Sequence, residues 1–293
     1  MPHPYADGFS IGISVASVTH LAPGRPERLF DAIAAIAAAV DDAGADLLAV
    51  PDHVMQMGIG GGPDMPMLEA YTLLGALAAR TSRVRLAAFV TPASLRHPPL
   101  LAKMVTTLDV VSGGRAVLGI GAGVNAPEHE AYGLEFPDVR TRTRRLGETL
   151  EVCAAMFRQP LTTFAGEHVT LTDARNIPAP LQPRLPVLVG GGGERYTLPL
   201  VARFADVCNL PPADDARLAA KLARIDTLLG EAGRDPAAVH RTAFLLQPES
   251  PRALAERAAA LHRLGFQGVI VAAAQATPEA VHDWTTAVRA ELG

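Results

Sequence analysis

The chain has 293 residues, 49% hydrophobic and 19% charged, which is enough to bury a large core without disulfides or structural zinc. The net charge of -4, with dispersed Lys and Arg, excludes a basic nucleic-acid footprint, and no apolar run approaches the ~20 residues of a membrane span. Two cysteines, Cys153 and Cys208, stand in no metal-like spacing, and the first residues lack a signal peptide's basic and apolar regions, so the expected compartment is a reducing cytoplasm. In chain order, residues 10–15 read as a first strand, and Pro26 opens a helix over 27–43 that Gly44 stops. Strand two covers 46–50 and leads into a Gly/Met-rich loop from Met55 to Met67, then a helix over 69–80. Strand three covers 84–89. The helix over 98–111 puts Leu101, Met104, Val105 and Leu108 on one face, with Gly113 behind it. Strand four covers 116–120, and a helix 140–157. Residues 166–180 read as an irregular or hairpin insertion before strand five at 186–189. Helix 195–204, strand 206–210, helix 214–232, strand 241–246, helix 251–264, strand 268–271 and helix 278–292 complete the chain. Eight strands, each followed by a helix, predict an α/β fold of the (β/α)8 TIM-barrel type, as one domain over 1–293. A doubly wound sheet is the runner-up.

In such a barrel, chemistry belongs to the loops at the C-terminal ends of the strands. After strand two stands Pro51-Asp52-His53, where the acid either orients the imidazole toward a substrate or simply caps the backbone. After strand three, Ala88-Phe89-Val90-Thr91-Pro92 leads to Arg96-His97-Pro98. Thr91 offers a hydroxyl to an anion, Arg96 and His97 read as structural, and Pro98 as the first helical residue. After strand four, Gly119, Gly121 and Gly123 alternate before Val124 and Asn125. They either let a ligand approach the backbone or fill a tapering mouth, and no helix is expected to begin at once. After strand five, Gly190, Gly191, Gly192 and Gly193 run through Glu194 and Arg195 into a helix. A plain turn needs fewer glycines, so a cradle for phosphate or a planar ring is expected there, with Arg195 adding charge. His129, between Glu128 and Glu130, has no metal-site spacing; both cysteines read as inert core. The arginines at 140, 142, 144 and 145 read as a solvated helix start, the alternative being a contact with a long anionic ligand tail.

These loops in this order resemble the luciferase-like monooxygenase superfamily, and within it the members that use the deazaflavin coenzyme F420. The similarity is concentrated in Arg83-Val84-Arg85-Leu86, Arg96-His97-Pro98, Leu108-Asp109-Val110-Val111-Ser112-Gly113-Gly114-Arg115, Gly119-Ile120-Gly121-Ala122-Gly123 and Pro186-Val187-Leu188-Val189-Gly190-Gly191-Gly192-Gly193-Glu194. The resemblance implies a hydride-transferring oxidoreductase with F420, or alternatively FMN, as cofactor. It places Asp52 and His53 against the ring with His53 near the hydride-transfer carbon, and a non-prolyl cis peptide at the bulge of Ala88-Phe89. Thr91, Asn125 and Gly190 to Gly193 would hold the ring's polar edge, ribityl chain and phosphate. Gly121, Gly123 and Arg195 complete the expected cofactor shell, and the Met55 to Met67 stretch is a candidate lid. Sugar-phosphate dehydrogenases of this family carry an acid where Val124-Asn125-Ala126 stands, so a sugar phosphate is a poor substrate expectation. The expected partners are an unidentified small organic substrate and a second copy of the chain, with no nucleic acid and no membrane. An FMN-dependent monooxygenase and a non-catalytic flavin-binding protein are the alternatives.

Overall fold

A computed structural model describes residues 8–293; the N-terminal stretch considered above lies outside them. Among the described residues, eight parallel strands close on themselves: Ser10–Ser14, Leu47–Val50, Arg85–Ala88, Ala116–Gly121, Val187–Gly190, Val207–Leu210, His240–Leu245 and Gly268–Ala272. The pairing of the third strand with the fourth closes the ring, and Ser14 lies beside both Ala49 and Ala272 in register. The fold is a (β/α)8 barrel, as the rhythm of strands and helices predicts.

Alternation along each strand divides the apolar side chains into two layers. One set, including Ile11, Ile13, Leu48, Leu86, Leu118 and Val189, packs outward under the helices. The other (Leu47, Ala49, Ala87, Val117, Leu188, Val207 and Ile270) fills the lumen, with Phe89 and Val90 packed on top. The lumen is thus closed from below and finished at its C-terminal end by two half-buried apolar residues of the third loop. Any ligand is confined to the loops above that floor.

Most predicted elements hold within two residues. Three features differ. The insertion is a hairpin of Leu161–Ala165 and Thr170–Arg175, beginning earlier than its glycine suggested. Thr91–Pro92 add a two-residue strand beside Ile120 and Gly121. A short helix, Ala126–Ala131, begins almost at once after the alternating glycines, contrary to expectation; Asn125 at its N-cap position and Pro127 in its first turn are ordinary helix-start signals.

Candidate active site at the C-terminal end of the barrel

His53 and Asp52 leave strand two in opposite directions. Asp52 is fully buried, and its carboxylate takes a hydrogen bond from the Thr91 hydroxyl at 2.7 Å and a two-point contact from Arg96 at 2.7 and 2.5 Å. Arg96 also reaches Glu69 at 2.6 Å and lies over the Tyr71 ring at 4.8 Å. Burial pulls the guanidinium toward losing its proton, but the bonds and charges of Asp52 and Glu69 outweigh this and its pKa rises. Glu69 is opposed by burial too, yet the Thr72 and Tyr71 amides and Arg96 hold its carboxyl below the usual range. Burial, then the charge of Asp52, pushes the Tyr71 phenol far up, so it stays a neutral hydroxyl, 3.0 Å from Thr91. Asp52 and Thr91 are both fully buried and bonded to each other inside this network. An arginine held over an aromatic ring and surrounded by acids is a favourable partner for Asp52.

His53 faces differently. Its side chain is 15% exposed, and Nδ1 lies 2.8 Å from a carboxylate oxygen of Glu128, a fully buried acid on the short helix. The other oxygen of Glu128 accepts from the Val54 and Met55 amides at 2.7 and 3.2 Å. Beside it, His129 is also buried, with Nδ1 2.8 Å from the Asn125 carbonyl and Nε2 2.8 Å from the Ser94 hydroxyl. One six-residue helix thus joins the second, third and fourth loops. Sequence reasoning missed Glu128: its partner is 75 residues away, and only the Asn-Ala-Pro-Glu helix start was visible locally.

The third and fourth loops interlock through small residues. The peptide between Phe89 and Val90 is cis, one bond later than the Ala88-Phe89 position expected, and Ala88 itself is buried. Val90 then points between the fourth and fifth strands. A Cβ on Gly121 would fall 2.9 Å from Val90, and one on Gly190 3.0 Å from it. Val90 thus accounts for the absence of a side chain at Gly121 and Gly190, in line with the filled-mouth alternative. Gly123 is a turn residue hemmed in by Ser94 and Pro92. Asn125 is partly exposed, and its side chain bonds to no described protein group.

The fifth loop has the opposite character. Gly191 adopts φ +128 and gives its amide to the Asn209 carbonyl at 3.0 Å. The Gly193 carbonyl accepts from the Thr197 and Leu198 amides, and the Gly192 carbonyl from Lys221 Nζ. Among the described residues, no protein group accepts from the Gly192 or Gly193 amide. Side chains would crowd here as well: a Cβ on Gly192 would lie 3.2 Å from Pro211, and one on Gly193 3.1 Å from the Thr197 hydroxyl. Two free amides just before helix Thr197–Phe204 fit the phosphate or polar chain expected for this loop. Arg195 is exposed and rests over Tyr196 at 5.1 Å instead of turning into the loop.

The rim is apolar. Val124 is 79% exposed where sugar-phosphate enzymes carry an acid, and Ile59, Leu68 and Leu246 are exposed in the loops after strands two and seven. The Met/Gly stretch is anchored to the barrel: buried Gln56 bonds to the Ala16 carbonyl, and Gly60 sits directly against it. A cavity of about 40 Å³, walled by Val15, Val18, Ile33, Pro51, Met67 and Leu73, lies beneath this stretch; it is too small for a coenzyme. The helix start at 140–145 is held by local partners, with Arg144 on Glu167, Arg145 on Glu135 and Arg142 over Phe136.

Residues 10–247 match the family model described as luciferase-like monooxygenase. An uncharacterised protein of Mycobacterium bovis is 38% identical over 172 residues, covering 58% of this chain and 59% of that protein. The F420-dependent glucose-6-phosphate dehydrogenase of Kineococcus radiotolerans is 33% identical over 183 residues, 62% of this chain and 51% of that protein. The matches thus span between about half and three-fifths of these relatives. The structure of an F420-dependent secondary alcohol dehydrogenase in complex with an F420-acetone adduct superposes with TM-score 0.80 at 18% identity, covering 97% of this chain and 99% of that one.

Proposed function

We propose that this chain, which belongs to the luciferase-like monooxygenase family, is an oxidoreductase that moves a hydride between coenzyme F420 and an uncharged, largely apolar small organic substrate. Carrying this reading is one end of the barrel that holds both a partly open histidine, His53, and two amides without protein acceptors, those of Gly192 and Gly193. The relative of Kineococcus radiotolerans supports the choice of F420 over FMN, since its printed activity is F420-dependent.

When bound, the deazaflavin supplies a ring carbon that accepts or gives up hydride and reacts poorly with oxygen. The chain's own residues do the rest. The amides of Gly192 and Gly193 bind a phosphate or ribityl oxygen, and Asn125 offers a free donor and acceptor. Phe89 and Val90 form an apolar floor beneath the site. His53 takes the proton from a substrate hydroxyl as the hydride leaves the adjacent carbon, or returns it in the reverse direction. The Asp52–Arg96 network acts beneath the site by fixing the loops. A homodimer in the cytoplasm completes the proposal. Among the described residues, no helix is long and apolar enough to cross a membrane.

Separate titrations with F420 and FMN test the cofactor. Saturable F420 binding is expected; tight FMN binding without F420 binding would replace this proposal with the flavin monooxygenase alternative. His53→Ala should keep F420 binding while removing hydride transfer; unchanged transfer would remove His53 from the mechanism.

A further inference from the structure

We infer that Glu128 is a positioning residue that locks His53 into the tautomer protonated at Nδ1, leaving the lone pair on Nε2 for substrate. The purpose of this lock rests on the proposed role of His53, but its existence does not. Glu128 is fully buried on a helix whose residues Ala126, Pro127, Glu130 and Ala131 are exposed, so its side chain is turned deliberately inward. A buried carboxylate is tolerated only when its lone pairs are occupied. Backbone amides can only donate, so the oxygen shared by Val54 and Met55 is an acceptor. The second oxygen lies 2.8 Å from His53 Nδ1, and a carboxylate there accepts the ring's proton. The neighbouring acid, Asp52, is committed to Arg96 and Thr91 and cannot do this. The same helix fixes the third loop by similar logic. The Asn125 carbonyl can only accept from His129 Nδ1, so in the neutral ring His129 Nε2 accepts from Ser94. Two adjacent buried side chains on one short helix therefore orient the groups of two other loops.

The test reads nitrogen protonation directly. Full-length coenzyme-free protein is labelled with ¹⁵N-histidine, and long-range ¹H–¹⁵N spectra are recorded at about pH 8, above the ordinary histidine range. His53→Gln assigns the signal. The wild type should show a protonated Nδ1 and a bare Nε2; a bare Nδ1 overturns the inference. In Glu128→Gln, the amide oxygen remains on Val54 and Met55 and the amide nitrogen turns to the ring. His53 should then switch to the tautomer protonated at Nε2, and an unchanged tautomer in the folded variant overturns the inference. Should that variant fail to fold, the wild-type spectrum alone decides. F420 titration of the same samples is independent: lack of binding sinks the functional proposal and leaves the tautomer result standing.

Discussion

The two sides of the barrel's C-terminal end are built from different materials. Behind strands two, three and four, side chains hold side chains: Asp52 with Arg96 and Thr91, His53 with Glu128, Ser94 with His129. Behind strand five, the chain is almost bare backbone, pinned through carbonyls by Lys221, Thr197 and Leu198 while two amides stay unused. The first side is bonded mostly within itself, with His53 partly exposed above an apolar floor; the second holds two amides that no described protein group accepts from. A rigid, closed side suits the placement of one reacting group, and an open amide loop suits the capture of a charged tail whose exact position matters less.

The largest expected effect comes from breaking the closed side at its centre. Arg96→Met leaves Asp52 buried without its cation and releases Glu69, which should destabilise the fold by about 3–5 kcal/mol in urea unfolding. The corresponding stress on the open side, Gly193→Ala, places a Cβ 3.1 Å from the Thr197 hydroxyl and displaces the free amides. It should cost less than about 1 kcal/mol of stability. F420 binding should nevertheless weaken roughly tenfold, about 1.4 kcal/mol. Comparable stability losses in the two variants, or unchanged F420 affinity in Gly193→Ala, would erase the distinction between the sides.

The same division decides what could be read from sequence. The open side was legible because its signal is local: four consecutive glycines before a helix carry their own physical meaning. The barrel was legible for the same reason, since strand and helix periodicities repeat within short windows. The closed side depends on contacts between residues far apart, 44 positions for Arg96 and Asp52 and 75 for His53 and Glu128. Asp52 therefore looked like the partner of the adjacent His53, while Arg96 and Glu128 looked like ordinary charges. Gly121 and Gly190 show the converse, a local signal with a distant cause. Their openness is filled by Val90, whose direction depends on the bend after strand three.

The smallest effect concerns whether the openness of the glycine loop reaches the barrel wall. Cys153 lies beneath the closed side, 3.8 Å from the Pro98 carbonyl, and Cys208 lies on strand six, which carries the Asn209 carbonyl that holds Gly191. Burial pushes both thiols up to about 12 from an ordinary 9.0. A raised thiol pKa stabilises the fold fully below pH 9.0, and this contribution is lost as pH rises through about 12. Replacing either cysteine by alanine should therefore flatten the alkaline fall in stability. At about pH 8, where the thiolate is the reactive form, neither native thiol should react with a disulfide reagent within minutes. In single-cysteine variants under mild denaturant, both should label together, at the rate of global unfolding. Faster labelling of Cys208 would mean that strand six opens with the loop above it, and the glycine side would then be a mobile segment of the barrel instead of an open loop on a rigid wall.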